Sequence, residues 1–200
     1  MPTDLHEERL DTVVSEVRAS GARTVLDLGC GTGELLMRLA AEPQITRLVG
    51  LEINGASRDE ARNALGLGFP VPGARVEVRS GSYEELHPGL AGFDAAVLLE
   101  TIEHVEPDRL SRVERAVFGQ MRPREVWVTT PNQEYNVLHG MAPGERRHPG
   151  HRFEWTRPKF QQWAQGVALR AGYTVTFSGI GPPDALRGSS TQAARFRRVG

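Results

Sequence analysis

Two stretches far apart in the chain carry side chains suited to hold a cation. LLETIEHVEP, residues 98–107, sets Glu100, Glu103 and His104 just past an apolar run that reads as a strand. RRHPGHRFEWTR, residues 146–157, offers His148 and His151 in a segment without regular periodicity. If residues 100–104 begin a helical turn, positions i, i+3 and i+4 share one face, and two carboxylates and an imidazole converge on one point. That donor set suits a divalent metal. The plainer alternative makes Glu103 and His104 surface residues at a helix start, where the dipole favours an acid. An imidazole from the second stretch would complete the site, and spacing alone does not choose between His148 and His151.

A third stretch, LDLGCGTG at residues 26–33, sits where a strand should turn into a helix. Its glycines let a ligand press against backbone amides. Glu52 follows at the end of the next strand, where a carboxylate can accept both hydroxyls of a ribose. A purely structural turn is the competing reading of the glycines; together with Glu52 they favour ligand binding. The spacing is G-x-G-x-G rather than G-x-G-x-x-G, and the chain has no G-x-x-x-x-G-K-[ST] loop, so ATP hydrolysis loses support.

The elements that must position these residues follow from the hydrophobic pattern. Residues 4–20 space Leu5, Leu10, Val13, Val14 and Val17 as an amphipathic helix. TVLDLG (24–29), RLVGLEI (47–53), ARVEVR (74–79), FDAAVLL (93–99) and REVWVTT (124–130) read as strands. GTGELLMRLAAE, GASRDEARNAL and PDRLSRVERAVFGQM read as helices between them. This alternation predicts an α/β fold with a parallel sheet. RPKFQQWAQGVALRAG (157–172) reads as a further helix, followed by YTVTFSGI and TQAARFRR as a terminal hairpin. The connection from Pro131 to Thr156 is long for a compact domain and is rich in Pro, Gly, His and Arg, so it is a candidate functional loop.

The length of 200 residues suits one domain. An apolar content of 39%, with no run near the roughly 20 residues that span a bilayer, predicts a soluble protein and no membrane partner. The acidic, polar start lacks the sections of a secretion signal, and Cys30 stands alone, which together favour the cytoplasm. Residues 141–200 carry ten Lys or Arg against three acids, although the whole chain is nearly neutral. That bias favours an anionic partner such as nucleic acid, with a solvated basic face as the alternative.

The string VLDLGCGTG followed by VGLEI resembles the first two motifs of class I S-adenosylmethionine-dependent methyltransferases. The resemblance implies a Rossmann-like, mostly parallel seven-stranded sheet with a C-terminal antiparallel hairpin. It also implies S-adenosylmethionine as cofactor, with Asp27, Gly29, Gly31 and Gly33 on its methionine side, Glu52 at the ribose and Ser82 near the adenine. LLETIEHVEP, VTTPNQEYNV and RHPGHRFEWTR together resemble the RNA 3′-terminal 2′-O-methyltransferases, which act on small RNAs or on broken tRNAs, and the likeness runs over almost the whole chain. It implies that Glu100, Glu103, His104 and His151 bind one divalent ion, leaving His148 as a neighbour. The substrate implied is an RNA 3′ end, a tRNA fragment or a small RNA, and a kinase-phosphatase-ligase repair partner is a further implied contact. The family usually has Asp at the position of Gly150, so His151 is expected to lack an orienting carboxylate and to hold metal less tightly.

Mixed imidazole and carboxylate donors suit Mn, Fe, Co or Ni better than Mg, and manganese is the expected ion. Thr130, Asn132 and Asn136 are candidates to position a ribose. Phe153, Trp155 and Tyr135 could stack on a terminal base, with core packing as the favoured role of each. Two other functions compete: a metal-dependent O-methyltransferase of a small vicinal diol, and a catalytically impaired RNA-repair scaffold.

Overall fold

A computed structural model describes residues 4–69, 71 and 73–200. TVLDL and RLVGLE are near-continuous apolar runs, the pattern of strands covered on both faces. They form β1 (Thr24–Leu28) and β2 (Arg47–Glu52), buried except at their first residues. β3 (Val76–Ser80), β4 (Ala95–Leu99) and β5 (Glu125–Pro131) extend the parallel sheet. β6 (Tyr173–Ile180) and β7 (Thr191–Arg198) close it, with β7 antiparallel to both β5 and β6. The order is β3-β2-β1-β4-β5-β7-β6, the seven-stranded, mostly parallel sheet with antiparallel C-terminal strands expected from the sequence.

Because strand side chains alternate, each strand feeds two cores. Leu26, Leu28, Ala96, Leu98, Val126 and Val128 pack on the side of α5 (Arg157–Ala171) and of α4 (Leu110–Val113), which continues as a π-helix over Glu114–Met121. Val25, Leu48, Ala95, Val97 and Trp127 pack on the opposite side. There they meet α1 (Asp4–Ala19), α2 (Glu34–Ala40) and α3 (Gly55–Ala64). The segment PDRLSRVERAVFGQM is thus helical but not one uniform α-helix; Pro107–Arg109 open it as a 3-10 turn. Each fully buried Leu contributes about 1.5–3 kcal/mol, so the two cores hold the strand ends firmly in place.

β1 lies between β2 and β4, so the strand order reverses beside it. A crevice opens at the carboxyl ends of strands at such a point. Here those ends deliver Gly29 after β1, Ile53 after β2 and Glu100 after β4. Among the described residues, no helix is long and apolar enough to cross a membrane.

Candidate active site

After β1 the chain turns through Gly29 (φ 83°), Gly31 (φ 53°) and Gly33 (φ 90°), conformations that disfavour any side chain. A Cβ at Gly29 would also lie 2.8 Å from Thr101 Cγ2, so glycine is needed for the loop to approach the end of β4. Gly33 has a different role, since a Cβ there would meet Ala61 Cβ at 2.9 Å where α2 packs on α3. The Glu52 carboxylate accepts from Gly31 N at 2.9 Å and from Asn54 N at 2.7 Å, which fixes it at the rim.

A cavity of about 630 Å³ opens here, lined by Gly29, Glu52, Ser82, Tyr83, Glu100 and Thr101 among others. Gly31 and Gly33 shape the loop without lining this space. Asp27 is buried in β1, its Oδ2 has no partner, and burial followed by the nearby Glu52 charge pushes its pKa up to about 7. Ser82 Oγ accepts from Glu84 N, while Tyr83, which the sequence did not single out, donates to Thr101 O at 3.1 Å.

Beside this cavity, β4 delivers Glu100 in a way the sequence did not foresee. No α-helical turn follows the strand: Glu100 has φ 51°, in the left-handed region, and Ile102–His104 form a 3-10 turn. The expected i, i+3, i+4 face is therefore not what gathers these side chains. Instead the Glu100 amide is held by Thr129, through its carbonyl at 3.2 Å and its Oγ1 at 3.0 Å, at the end of β5.

Glu100 Oε2 pairs with Arg9 of α1 at 3.0 Å, and its Oε1 has no partner. Glu103 is 0% exposed; Thr130 donates to its Oε2 at 3.0 Å, and its Oε1 also has no partner. Burial raises both carboxyls, Glu103 well above the usual range because the Glu100 charge adds to burial, whereas Arg9 opposes the rise at Glu100.

The segment from Pro131 to Thr156 folds over these carboxylates. It contains a 3-10 helix at Gln133–His139 and returns to the site where Arg152 N donates to Glu103 O at 2.7 Å. Glu154 is its hub: it accepts from His151 Nδ1 at 2.6 Å, Asn136 Nδ2 at 2.6 Å and Arg147 N at 2.7 Å. Burial would raise the Glu154 carboxyl, but these donors outweigh it and leave it below its usual value. The Arg147 side chain reaches Asn136 Oδ1, the carbonyls of Asn132 and Ser190, and Ser190 Oγ, tying the loop to β5 and to the approach to β7. His151 therefore does have an orienting carboxylate despite Gly150, which corrects the expectation drawn from that position. The partner is supplied from three residues downstream.

The backbone around Gly150 decides which imidazole nitrogens are available. Gly150 O can only accept, so His104 Nδ1, 3.2 Å away, carries the proton and leaves Nε2 with a lone pair. His151 uses Nδ1 on Glu154, so Nε2 is the ring nitrogen left without that partner. Gly150 N can only donate, so His148 Nδ1, at 2.9 Å, spends its lone pair there. A Cβ on Gly150 would stand 2.9 Å from His148 Nδ1 and 3.1 Å from His104 Nδ1, so the absence of a side chain lets these rings close in. Ligand atoms of His104, His148 and His151 lie within 4.8 Å of one another. Burial first, then the adjacent His151, lowers the pKa of His104 and favours its neutral form.

Glu100, Glu103, His104 and His151 line one cavity of about 650 Å³, together with Arg9 and His148. Glu100, His104 and His148 also line the glycine-loop cavity, so the two spaces adjoin at these residues. Orphaned carboxylate oxygens and imidazole nitrogens on one cavity are donor types that suit a divalent cation, and among the described residues the tight cluster is His104, His151 and also His148, which the sequence resemblance left as a neighbour, without either carboxylate. Asn132 and Asn136 do not line this cavity: Asn132 donates to the carbonyls of Arg187 and Ser189, and Asn136 to Glu154. Phe153 and Trp155 are buried and stacked on each other at 4.1 Å, the packing role favoured from sequence.

A sheet of this order with a glycine loop after β1 and an acid closing β2 defines a methyltransferase domain, and the methyltransferase-domain family matches residues 25–124. The crystallised methyltransferase domain of bacterial CtHen1 is 36% identical, with a TM-score of 0.87, covering 98% of this chain and all of that one. The small RNA methyltransferase HEN1 structure is 31% identical with a TM-score of 0.87, covering 97% of this chain and 25% of its own. The small RNA 2′-O-methyltransferase of Xenopus tropicalis is 37% identical over 188 residues, 90% of this chain and 50% of the relative. The chain belongs to the Hen1-type methyltransferase-domain family, and it spans about half the length of the first curated relatives it matches.

Proposed function

We propose that this domain transfers a methyl group from S-adenosylmethionine to the 2′-hydroxyl of the 3′-terminal nucleotide of an RNA, with a divalent ion, manganese, held by Glu100, Glu103, His104 and His151. The observation that carries this reading is the adjoining pair of cavities, sharing Glu100 and His104 between a nucleotide loop and a cluster of metal-type donors. The relatives' role as small RNA 2′-O-methyltransferases supports the substrate class.

Bound there, the cofactor supplies an activated methyl and the ion supplies the Lewis acidity that lets a sugar hydroxyl ionise near neutral pH. The chain's own residues do the rest. Glu52, pinned by two amides, is set to accept the cofactor's ribose hydroxyls. Gly29, with no side chain to meet Thr101, keeps open the cavity in which the cofactor would be held. Glu154 and Gly150 O hold the protons of His151 and His104 on Nδ1, so both rings face the cavity as acceptors. A terminal ribose offers two adjacent hydroxyls, whereas an internal one has its 3′ oxygen tied in a phosphodiester. A donor set that leaves room for two substrate oxygens therefore selects ends. Arg146, on the lining of the same cavity, adds a cation suited to RNA phosphates.

The test is to incubate the protein with S-adenosylmethionine, Mn²⁺ and a short RNA, then to challenge the product with periodate, which cleaves only a free terminal diol. Resistance that needs both the cofactor and the metal, and that is absent from a 3′-phosphorylated control, is the expected result. Full periodate sensitivity of the treated RNA would sink the proposal.

A further inference from the structure

Arg9 belongs to neither of the two stretches that supply the metal-type donors. It projects from α1, where its Nε donates to Thr191 Oγ1 at 2.7 Å and its Nη2 pairs with Glu100 Oε2 at 3.0 Å. The pair is largely shielded, with side-chain exposures of 13% and 18%, and Arg9 lines the cavity that holds Glu103, His104 and His151. A guanidinium and a divalent cation seek the same thing from a carboxylate, and Glu100 is the only donor of the proposed set already occupied by a cation.

We infer that Arg9 is a placeholder: it neutralises Glu100 while the site is free of metal and yields that carboxylate when a divalent ion arrives. The inference rests on the metal reading given above. A shielded carboxylate without a counter-charge is costly, and Arg9 supplies that charge to Glu100. A loaded site does not need Arg9, because the ion itself supplies the charge. α1 is fastened independently, through Glu8 to Gly181 N at 3.1 Å and Glu16 to Arg195 at 2.9 Å. The helix can therefore stay in place while the long Arg9 side chain turns away.

A simple structural strut would behave in the opposite way. If Arg9 only held Glu100 in position for the ion, its removal would weaken metal binding. If it competes with the ion, its removal strengthens binding. The sign separates the two roles.

The experiment titrates the full chain with Mn²⁺ alone, reading free ion by electron paramagnetic resonance, for wild type and for Arg9→Met, Arg9→Lys and Arg170→Met. Arg9→Met is expected to bind Mn²⁺ about tenfold more tightly, since it removes a unit positive charge in direct competition. Arg9→Lys, which keeps the charge but loses the fork, is expected to fall between them and serves if the Met variant does not fold. Arg170→Met removes a cation of α5 paired with Glu114, outside the lining of both cavities, and is expected to leave the affinity nearly unchanged. Melting curves are expected to show a larger gain from Mn²⁺ in Arg9→Met than in wild type. Wild-type binding with equal or weaker binding by both Arg9 variants, or an Arg170 effect as large as theirs, overturns the placeholder role and leaves the metal site standing. No Mn²⁺ binding by any of the proteins overturns both.

Discussion

His151 donates through Nδ1 to the Glu154 carboxylate at 2.6 Å, inside a loop where no regular helix brings the two together. Both are buried, and the same carboxylate is held by Asn136 and by the Arg147 amide, so the ring has one orientation available. Groups that orient metal-binding histidines in this way typically govern affinity by about 10–100-fold. Glu154→Ala is expected to lose Mn²⁺ affinity on that scale while S-adenosylmethionine affinity is retained. Calorimetric titration of each ligand checks both halves.

Glu103 and His151 lie outside the set of residues lining the glycine-loop cavity. Glu103→Ala or His151→Ala should therefore abolish methyl transfer with nearly unchanged cofactor binding. Radiolabelled methyl incorporation into RNA, set beside a cofactor titration, provides the measurement. Wild-type turnover by either variant contradicts the assigned role.

Asp27 gives the protein a predictable response to pH. A carboxyl with a pKa of about 7 in the folded chain holds its proton more tightly there than in the unfolded chain, where the value is about 3.9. The stability linked to this proton is complete below the unfolded value and is lost as the pH rises through about 7. Asp27→Asn should flatten that loss, so melting curves from acidic to mildly alkaline buffer should diverge, with the variant relatively more stable on the alkaline side. Parallel pH profiles for the two proteins would show that Asp27 is not the group responsible.

Arg147 fastens the loop through its side chain to Asn132 O, Asn136 Oδ1, Ser190 O and Ser190 Oγ. Arg147→Ala strands several of these acceptors and should cost about 3 kcal/mol, given about 1–3 kcal/mol for each buried group left unpaired. Denaturant unfolding measures the loss, and limited proteolysis should find new cuts between residues 131 and 156.

The fold was legible because its strands are dense apolar runs punctuated by glycine and proline, and patterns of that kind survive any detail of packing. The candidate site was proposed from its residue types, which chemistry restricts, and its construction was less legible. Glu100 could be named as a candidate donor, but its left-handed backbone is held by Thr129, which arrives from β5 and is not a neighbour in sequence. Arg9 reads as one more polar residue on the wet side of an amphipathic helix until α1 is seen to cap the cavity. Gly150 looked like the loss of a useful carboxylate. In the folded chain Glu154 does that work, and Gly150 supplies a carbonyl and an amide to two different histidines. Contacts of this kind arise only when the loop closes, and no local pattern encodes them.

Holding Glu100 at φ 51° asks an ordinary side chain to adopt a posture natural to glycine or asparagine, at about 1–2 kcal/mol. Anyone breeding this protein for heat tolerance alone should therefore expect position 100 to drift toward those two residues. If the proposed metal site is right, the result would be a sturdier domain with one ligand fewer.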